Sequence, residues 1–229
     1  MRFAGKVVLV AGGTGGLGRA VSRAFLEEGA QVIVTYRNPD EFAALENMEG
    51  HLVDVTDETA ARHLVDSIVA KHNGLDAMVN TVGGYTGGPK LWESDSRAFD
   101  YMLAVNFRPG LTLARAVVPA MLKEGHGAIV NVASKAAVDH QAGAAAYAAS
   151  KAGALALMDS LAEELRGTGV RMNSVLPSII DTEVNRRAMP KADFSKWPKP
   201  EEIARVILFL CSDDAKVIHG AAVPVYGAS

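Results

Sequence analysis

Residues 6–18 read Lys-Val-Val-Leu-Val-Ala-Gly-Gly-Thr-Gly-Gly-Leu-Gly, an apolar valine-rich run that enters five glycines in seven positions. The apolar run predicts a buried parallel strand over residues 6–11. After the glycines, residues 19–28 carry apolar side chains at helical spacing. Strand, glycine turn and helix in this order build an anion site, because glycines admit a close ligand and the helix N-terminus offers free N–H groups. Two registers fit: Gly13, Gly15 and Gly18 give G-x-G-x-x-G, and Gly12, Gly16 and Gly18 give G-x-x-x-G-x-G. Their position between a strand and a helix favours nucleotide binding over a simple tight turn.

The same alternation continues. Further strands are expected at 31–35, 51–55, 75–80, 128–132, 170–176 and 222–225. Helices are expected at 57–72, capped by Thr56, and at 96–106, 111–123, through Tyr147 to about 166, and 200–210. Pro109-Gly110 marks a break between two of them. Residues 177–199 contain three prolines and many charges, and read as an irregular flap. This pattern predicts a Rossmann-like, doubly wound, mostly seven-stranded parallel sheet with helices on both faces. Residues 1–229 form one domain in this reading, with a substrate flap at about 178–199. Ligands bind such sheets at the carboxyl ends of the strands, where Gly12, Asn80, Ser134 and Pro177 all fall.

Composition narrows the function. A net charge of −3 gives no reason to invoke nucleic acid or an anionic membrane. The single cysteine, Cys211, excludes an internal disulfide and suits the cytoplasm. The first residues mimic a signal peptide but run into glycines, so they are read as a strand. No apolar run approaches membrane-spanning length, and the six histidines show no metal-site spacing.

Tyr147 and Lys151 stand four apart in an alanine-rich helix and so share one face. A neighbouring ammonium favours the phenolate, so Lys151 is expected to lower the Tyr147 pKa and equip it for acid–base work. Ser134 ends the fifth strand, where its hydroxyl can meet a reacting carbonyl. At the end of the second strand a carboxylate would select NAD(H); Tyr36-Arg37-Asn38 stands there instead. Arg37 matches a 2′-phosphate, which favours NADP(H) and leaves NAD(H) open. Arg37 stacking on adenine or lying solvated are the alternatives.

Taken together, Gly12-x-x-x-Gly16-x-Gly18, Asp54, Asn80-Thr81-Val82-Gly83, Asn106, Ser134, Tyr147-x-x-x-Lys151, Pro177 and Thr182 resemble the short-chain dehydrogenase/reductase family over nearly the whole chain. The resemblance implies a proton exchanged by Tyr147, with Lys151 assisting and binding the nicotinamide ribose. Ser134 would orient the carbonyl and Asn106 support a water relay. It also implies a dinucleotide held by Gly12, Thr14, Gly15, Gly16, Leu17, Gly18, Arg37, Asp54 at the adenine, Val55, Asn80, Gly83, Tyr147, Lys151, Pro177, Ile180 and Thr182 at the carboxamide. Family members pair through this helix and the one before it, so a homodimer or homotetramer is implied.

Two departures are Ser178, where the family usually has glycine, and Tyr226, where it has an acid; the flap is also short. The flap and Gly83-Gly84-Tyr85-Thr86-Gly87-Gly88 are similar to quinonoid dihydropteridine reductases, although those enzymes lack the serine found here at 134. The expected function is therefore an NADP(H)-preferring oxidoreductase of small carbonyl substrates. A dihydropteridine reductase-like enzyme and a catalytically silent dinucleotide-binding regulator are the rivals. Tyr85, Trp92, His140 and Trp197 are candidates for the substrate pocket, and Arg186, Arg187 and Lys191 for a polar or anionic substrate edge.

Overall fold

The computed structural model describes residues 1–229. Seven strands form one parallel sheet: β1 (Val7–Ala11), β2 (Gln31–Tyr36), β3 (Glu49–Leu52), β4 (Ala77–Asn80), β5 (Gly127–Val132), β6 (Val170–Pro177) and β7 (Ala222–Val225), in the order β3-β2-β1-β4-β5-β6-β7. The order reverses between β1 and β4, which opens a crevice at their carboxyl ends. There Ala11 is in register with Asn80, and Asn80 with Asn131.

Eight helices cover the sheet: α1 (Gly16–Glu27), α2 (Pro39–Ala43), α3 (Glu58–His72), α4 (Ser96–Asn106), α5 (Arg108–Glu124), α6 (Ala145–Glu164), α7 (Glu183–Ala188) and α8 (Pro200–Cys211). Period-two alternation divides the core between the two faces. Val8 and Val10 join Val21 and Phe25 of α1 and Ile203 and Ile207 of α8. Val7 and Leu9 join Leu64 and Ile68 of α3, Leu113 and Val117 of α5 and Met158 of α6. No helix is long and apolar enough to cross a membrane.

Several expected boundaries move. The third strand is Glu49–Leu52 and not 51–55: it is an edge strand paired from Ile33↔Glu49 to Tyr36↔Leu52, with Glu49, Gly50 and His51 half-buried and Leu52 exposed. Buried Val55 thus lies beyond the strand. α2 was not expected, although Asn38 caps it by accepting from the Asp40 N–H at 3.0 Å and Pro39 opens it. Asp57, not Thr56, caps α3, accepting from the Ala60 N–H at 2.9 Å. The break between α4 and α5 is the single residue Phe107, and Pro109 sits in the first turn of α5, where its missing N–H costs nothing. The flap is not irregular throughout. Thr182 caps α7 through the Asn185 N–H at 3.3 Å, and a 3-10 turn spans Phe194–Lys196.

Candidate active site

The glycine turn is shaped by contacts that only glycine permits. Gly12 takes φ +75°, and a Cβ on Gly18 would lie 2.1 Å from the Gly12 carbonyl oxygen. Gly13 packs on β2, where a Cβ would meet Val34 at 2.6 Å. Gly15, by contrast, faces open space apart from the Gly12 carbonyl at 3.5 Å. It is also the N-cap of α1, with no side-chain cap and no acid in the first turn. The leading N–H groups of α1 are therefore left for an anion. A dinucleotide pyrophosphate fits this cradle: Gly15, Gly16 and Leu17 present backbone, while Gly12, Gly13 and Gly18 make the turn tight enough to do so.

Around the cradle, Thr81 Oγ donates to the Ala11 carbonyl at 2.7 Å and locks β4 to β1. A Cβ on Gly16 would reach Thr182 Cγ2 at 2.8 Å, so the root of the flap rests on the start of α1. Thr14 donates its hydroxyl to Glu41 at 3.0 Å, a contact that sequence reasoning missed because α2 was not foreseen. Arg37 reaches Asp54 at 3.2 Å, and both side chains remain more than half exposed. Asp54 also accepts from the N–H of Thr56 at 2.9 Å and its hydroxyl at 2.8 Å. These bonds, with Arg37 beside it, hold the Asp54 carboxyl below the usual range.

Asn80 is buried. Its amide donates to Asn131 at 2.9 Å, and its oxygen accepts from the Val82 N–H at 3.2 Å, so the side chain is spent inside the sheet. Asn106 is equally committed. It accepts from the Gly84 N–H and donates to the Gly84 carbonyl, both at 3.0 Å, and donates to Ser150 Oγ at 3.1 Å. Ser150, another residue the sequence did not single out, in turn donates to the Tyr147 carbonyl at 2.8 Å. Asn106 thereby ties the loop after β4 to the helix that carries Tyr147.

Tyr147 and Lys151 share one face of α6, and the 3-10 turn Lys135–Ala137 brings Ser134 to them. Ser134 Oγ accepts from the Ala136 N–H at 3.1 Å, which leaves its proton free to donate elsewhere. Lys151 is 5% exposed, with its ammonium on the Val132 carbonyl at 3.0 Å. No carboxylate pairs with it, and burial pushes its pKa down to about 8. The expectation that Lys151 lowers the Tyr147 pKa is corrected here. Burial raises the phenol, the Ser134 hydroxyl pulls it down, and Tyr85 raises it further. The physical reason is that Tyr147 is largely desolvated, while the lysine charge is directed at a backbone carbonyl.

The two departures from the family pattern meet each other. Ser178 Oγ donates to the Tyr226 carbonyl at 2.7 Å, and Ser178 and Ser229 hydroxyls lie 2.8 Å apart. The root of the flap is thus fastened to the segment after β7. Trp197 is buried in the flap against Phe194, whereas Trp92 and Tyr85 are exposed. Arg186 is held by Asp181 and stacks over Phe194 at 4.9 Å, and Arg187 is held by Glu183. The Arg187–Glu183 pair is exposed on both sides, and Lys191 is exposed with no carboxylate partner.

A family model described as short chain dehydrogenase matches residues 6–193. The chain belongs to the short-chain dehydrogenase family. It is 32% identical to the 3-oxoacyl-(acyl-carrier-protein) reductase FabG of Thermotoga maritima, over 99% of this chain and 98% of that one. It is 33% identical to the D-threitol dehydrogenase of Mycolicibacterium smegmatis, over 99% and 93%. Among solved structures, ElxO with NADP bound superposes with a TM-score of 0.90 at 27% identity, covering 97% of each chain. As a short-chain dehydrogenase, the protein is an NAD(P)-dependent oxidoreductase.

Proposed function

We infer that this short-chain dehydrogenase prefers NADP(H) and interconverts a small carbonyl with its alcohol through Ser134, Tyr147 and Lys151. One observation carries the reading. A half-buried phenol, a hydroxyl with a free proton and a buried ammonium converge at the carboxyl end of the sheet, beside an uncapped glycine-rich helix start. When bound, the nicotinamide ring supplies or takes up the hydride. The Tyr147 hydroxyl gives its proton to the carbonyl oxygen during reduction and recovers it during oxidation. Burial keeps that phenol protonated at neutral pH, as a proton donor must be. The Ser134 hydroxyl donates to the same oxygen and fixes its direction. The Lys151 ammonium, held on the Val132 carbonyl, is left to bind the nicotinamide ribose in this reading. Asn106 is a positioning residue: its polar atoms are taken by Gly84 and Ser150, which argues against a direct part in a water relay.

The choice of NADP(H) rests on Arg37. Its pairing with Asp54 is exposed and hence weak, about 1 kcal/mol or less, so the guanidinium can turn to a 2′-phosphate at little cost. A compact substrate is supported by the flap, which is short and packs Phe194 against the buried Trp197. Self-association is part of the same proposal. A groove of about 530 Å³ away from the catalytic residues, between α3, α5 and α6, is lined by the apolar Leu111, Val118, Leu157 and Leu161 together with the charged Arg62, Asp66, Arg115 and Glu164. A second copy would cover it; a monomeric mass by light scattering at micromolar concentration would count against this.

The decisive experiment is Tyr147→Phe. Turnover of small ketones should fall ~100-fold or more, while the NADPH dissociation constant, read by fluorescence, stays within about twofold. Near-normal kcat in the variant would sink the assignment.

A further inference from the structure

The loop after β4 is held at both ends by the catalytic elements. At its start, Gly84 is clasped by Asn106 through two hydrogen bonds of 3.0 Å. At its end, the Gly88 N–H donates to the Gly143 carbonyl at 2.9 Å, just ahead of α6. Gly88 at φ +142° and Gly143 at φ +76° take backbone conformations that other residues rarely adopt. Between these ties the loop folds under its own side chain, since a Cβ on Gly87 would lie 2.2 Å from the Tyr85 hydroxyl. The result sets the Tyr85 ring edge-on to the ring of Tyr147, with centroids 5.0 Å apart and planes at 76°. Yet Tyr85 is 67% exposed.

A ring left so open gains little from burial, so stability alone does not account for a loop built to hold it there. Strained or glycine-dependent backbone that fixes an exposed side chain against a reacting group points to function. His140 and Trp92 are exposed as well, but neither is held against a catalytic residue in this way.

We propose that Tyr85 is a specificity-determining residue: an aromatic wall beside the Tyr147 hydroxyl that selects carbonyl compounds whose C=O is attached to a flat ring over open-chain ketones of equal size. This deepens the proposed function and rests on Tyr147 being the group that meets the carbonyl. Edge-to-face and offset ring contacts add to simple area burial, and the addition corresponds to about a two- to tenfold advantage in binding. An aliphatic chain of the same carbon count gains area only.

The test compares acetophenone with octan-2-one, both of eight carbons, as substrates with NADPH for the wild type, Tyr85→Phe and Tyr85→Ala. Because the side chain is exposed, unchanged melting temperatures are expected and serve as the folding control. Wild type should favour acetophenone. Tyr85→Ala should raise its KM about two- to tenfold, leave that of octan-2-one within about twofold, and change kcat less than KM. Tyr85→Phe should keep the ring preference. An acetophenone-to-octanone ratio in Tyr85→Ala equal to that of wild type overturns the proposal. If no ketone turns over, the functional reading fails, and Tyr85 is judged by calorimetric binding of the two ketones in the presence of NADP+. Weaker acetophenone binding to Tyr85→Ala alone then supports the wall, and equal binding refutes it.

Discussion

Lys151 is the most expensive residue in the site, and that expense can be measured. Its ammonium is buried with one backbone carbonyl as partner, and its pKa falls from 10.5 to about 8. Holding that charge in the fold at neutral pH costs about 3 kcal/mol, from the size of the shift. Methionine occupies nearly the same volume without the charge, but strands the Val132 carbonyl, a loss of about 1 kcal/mol. Lys151→Met should therefore be inactive yet more stable than wild type at pH 7, by about 2 kcal/mol on balance.

The sign of the pH dependence makes the test independent of the packing contribution. Between about pH 8 and 10.5 the unfolded chain holds the lysine proton and the folded chain has released it. Wild-type stability consequently rises through that window, while the variant lacks the step. From pH 7 to pH 9.5 the wild type should gain about 2 kcal/mol on Lys151→Met. Urea unfolding of both proteins at the two pH values, with m checked for constancy, reads this directly. Parallel stability curves would show that Lys151 is not a desolvated charge, and the argument for its role would fall with them.

Other outcomes follow from the same contacts. Arg37→Ala should reduce the NADPH-over-NADH ratio in kcat/KM about tenfold or more, because a charge-assisted phosphate contact is lost; an unchanged ratio would remove Arg37 from coenzyme choice. Asn106→Ala should destabilise the protein by about 1–3 kcal/mol by orphaning both polar groups of Gly84. It should also speed amide exchange at Gly84 while sparing β1, and retained protection there would show that the loop is held otherwise.

What could be read from the sequence follows from how local each signal is. The run from Val7 to Gly18 states its structure within a dozen residues, since apolar strand, glycine turn and helix are all short-range patterns. Tyr147 and Lys151 share a face through helical periodicity alone. The edge strand at Glu49 was displaced because its Glu-Gly-His-Leu lacks the apolar character of a central strand and owes its pairing to β2. The Asn38-Pro39 start of α2 carried a usable cap signal, but the helix it opens is only five residues long. Hidden altogether were bonds between distant residues: Lys151 with Val132, Asn80 with Asn131, and Ser178 with Tyr226. Each depends on which strands and helices become neighbours, and no local pattern encodes that. The raised Tyr147 phenol belongs with them, because desolvation is a property of the assembled site.

Thr81 sits where β4 meets the glycine turn, and its hydroxyl reaches the carbonyls of Ala11 at 2.7 Å and Gly12 at 3.2 Å, about seventy positions back along the chain. The first half-sheet therefore cannot offer a finished coenzyme cradle until β4 has docked beside it. Recognition of the dinucleotide is in that sense a readout of completed folding, and a ligand that prefers the completed form holds it together by mass action. A hundredfold excess of coenzyme over its dissociation constant adds about 2.7 kcal/mol to the folded state. The lifetime of this enzyme in a cell would then follow the supply of its own coenzyme, with molecules made during dinucleotide shortage the first to be lost to proteolysis.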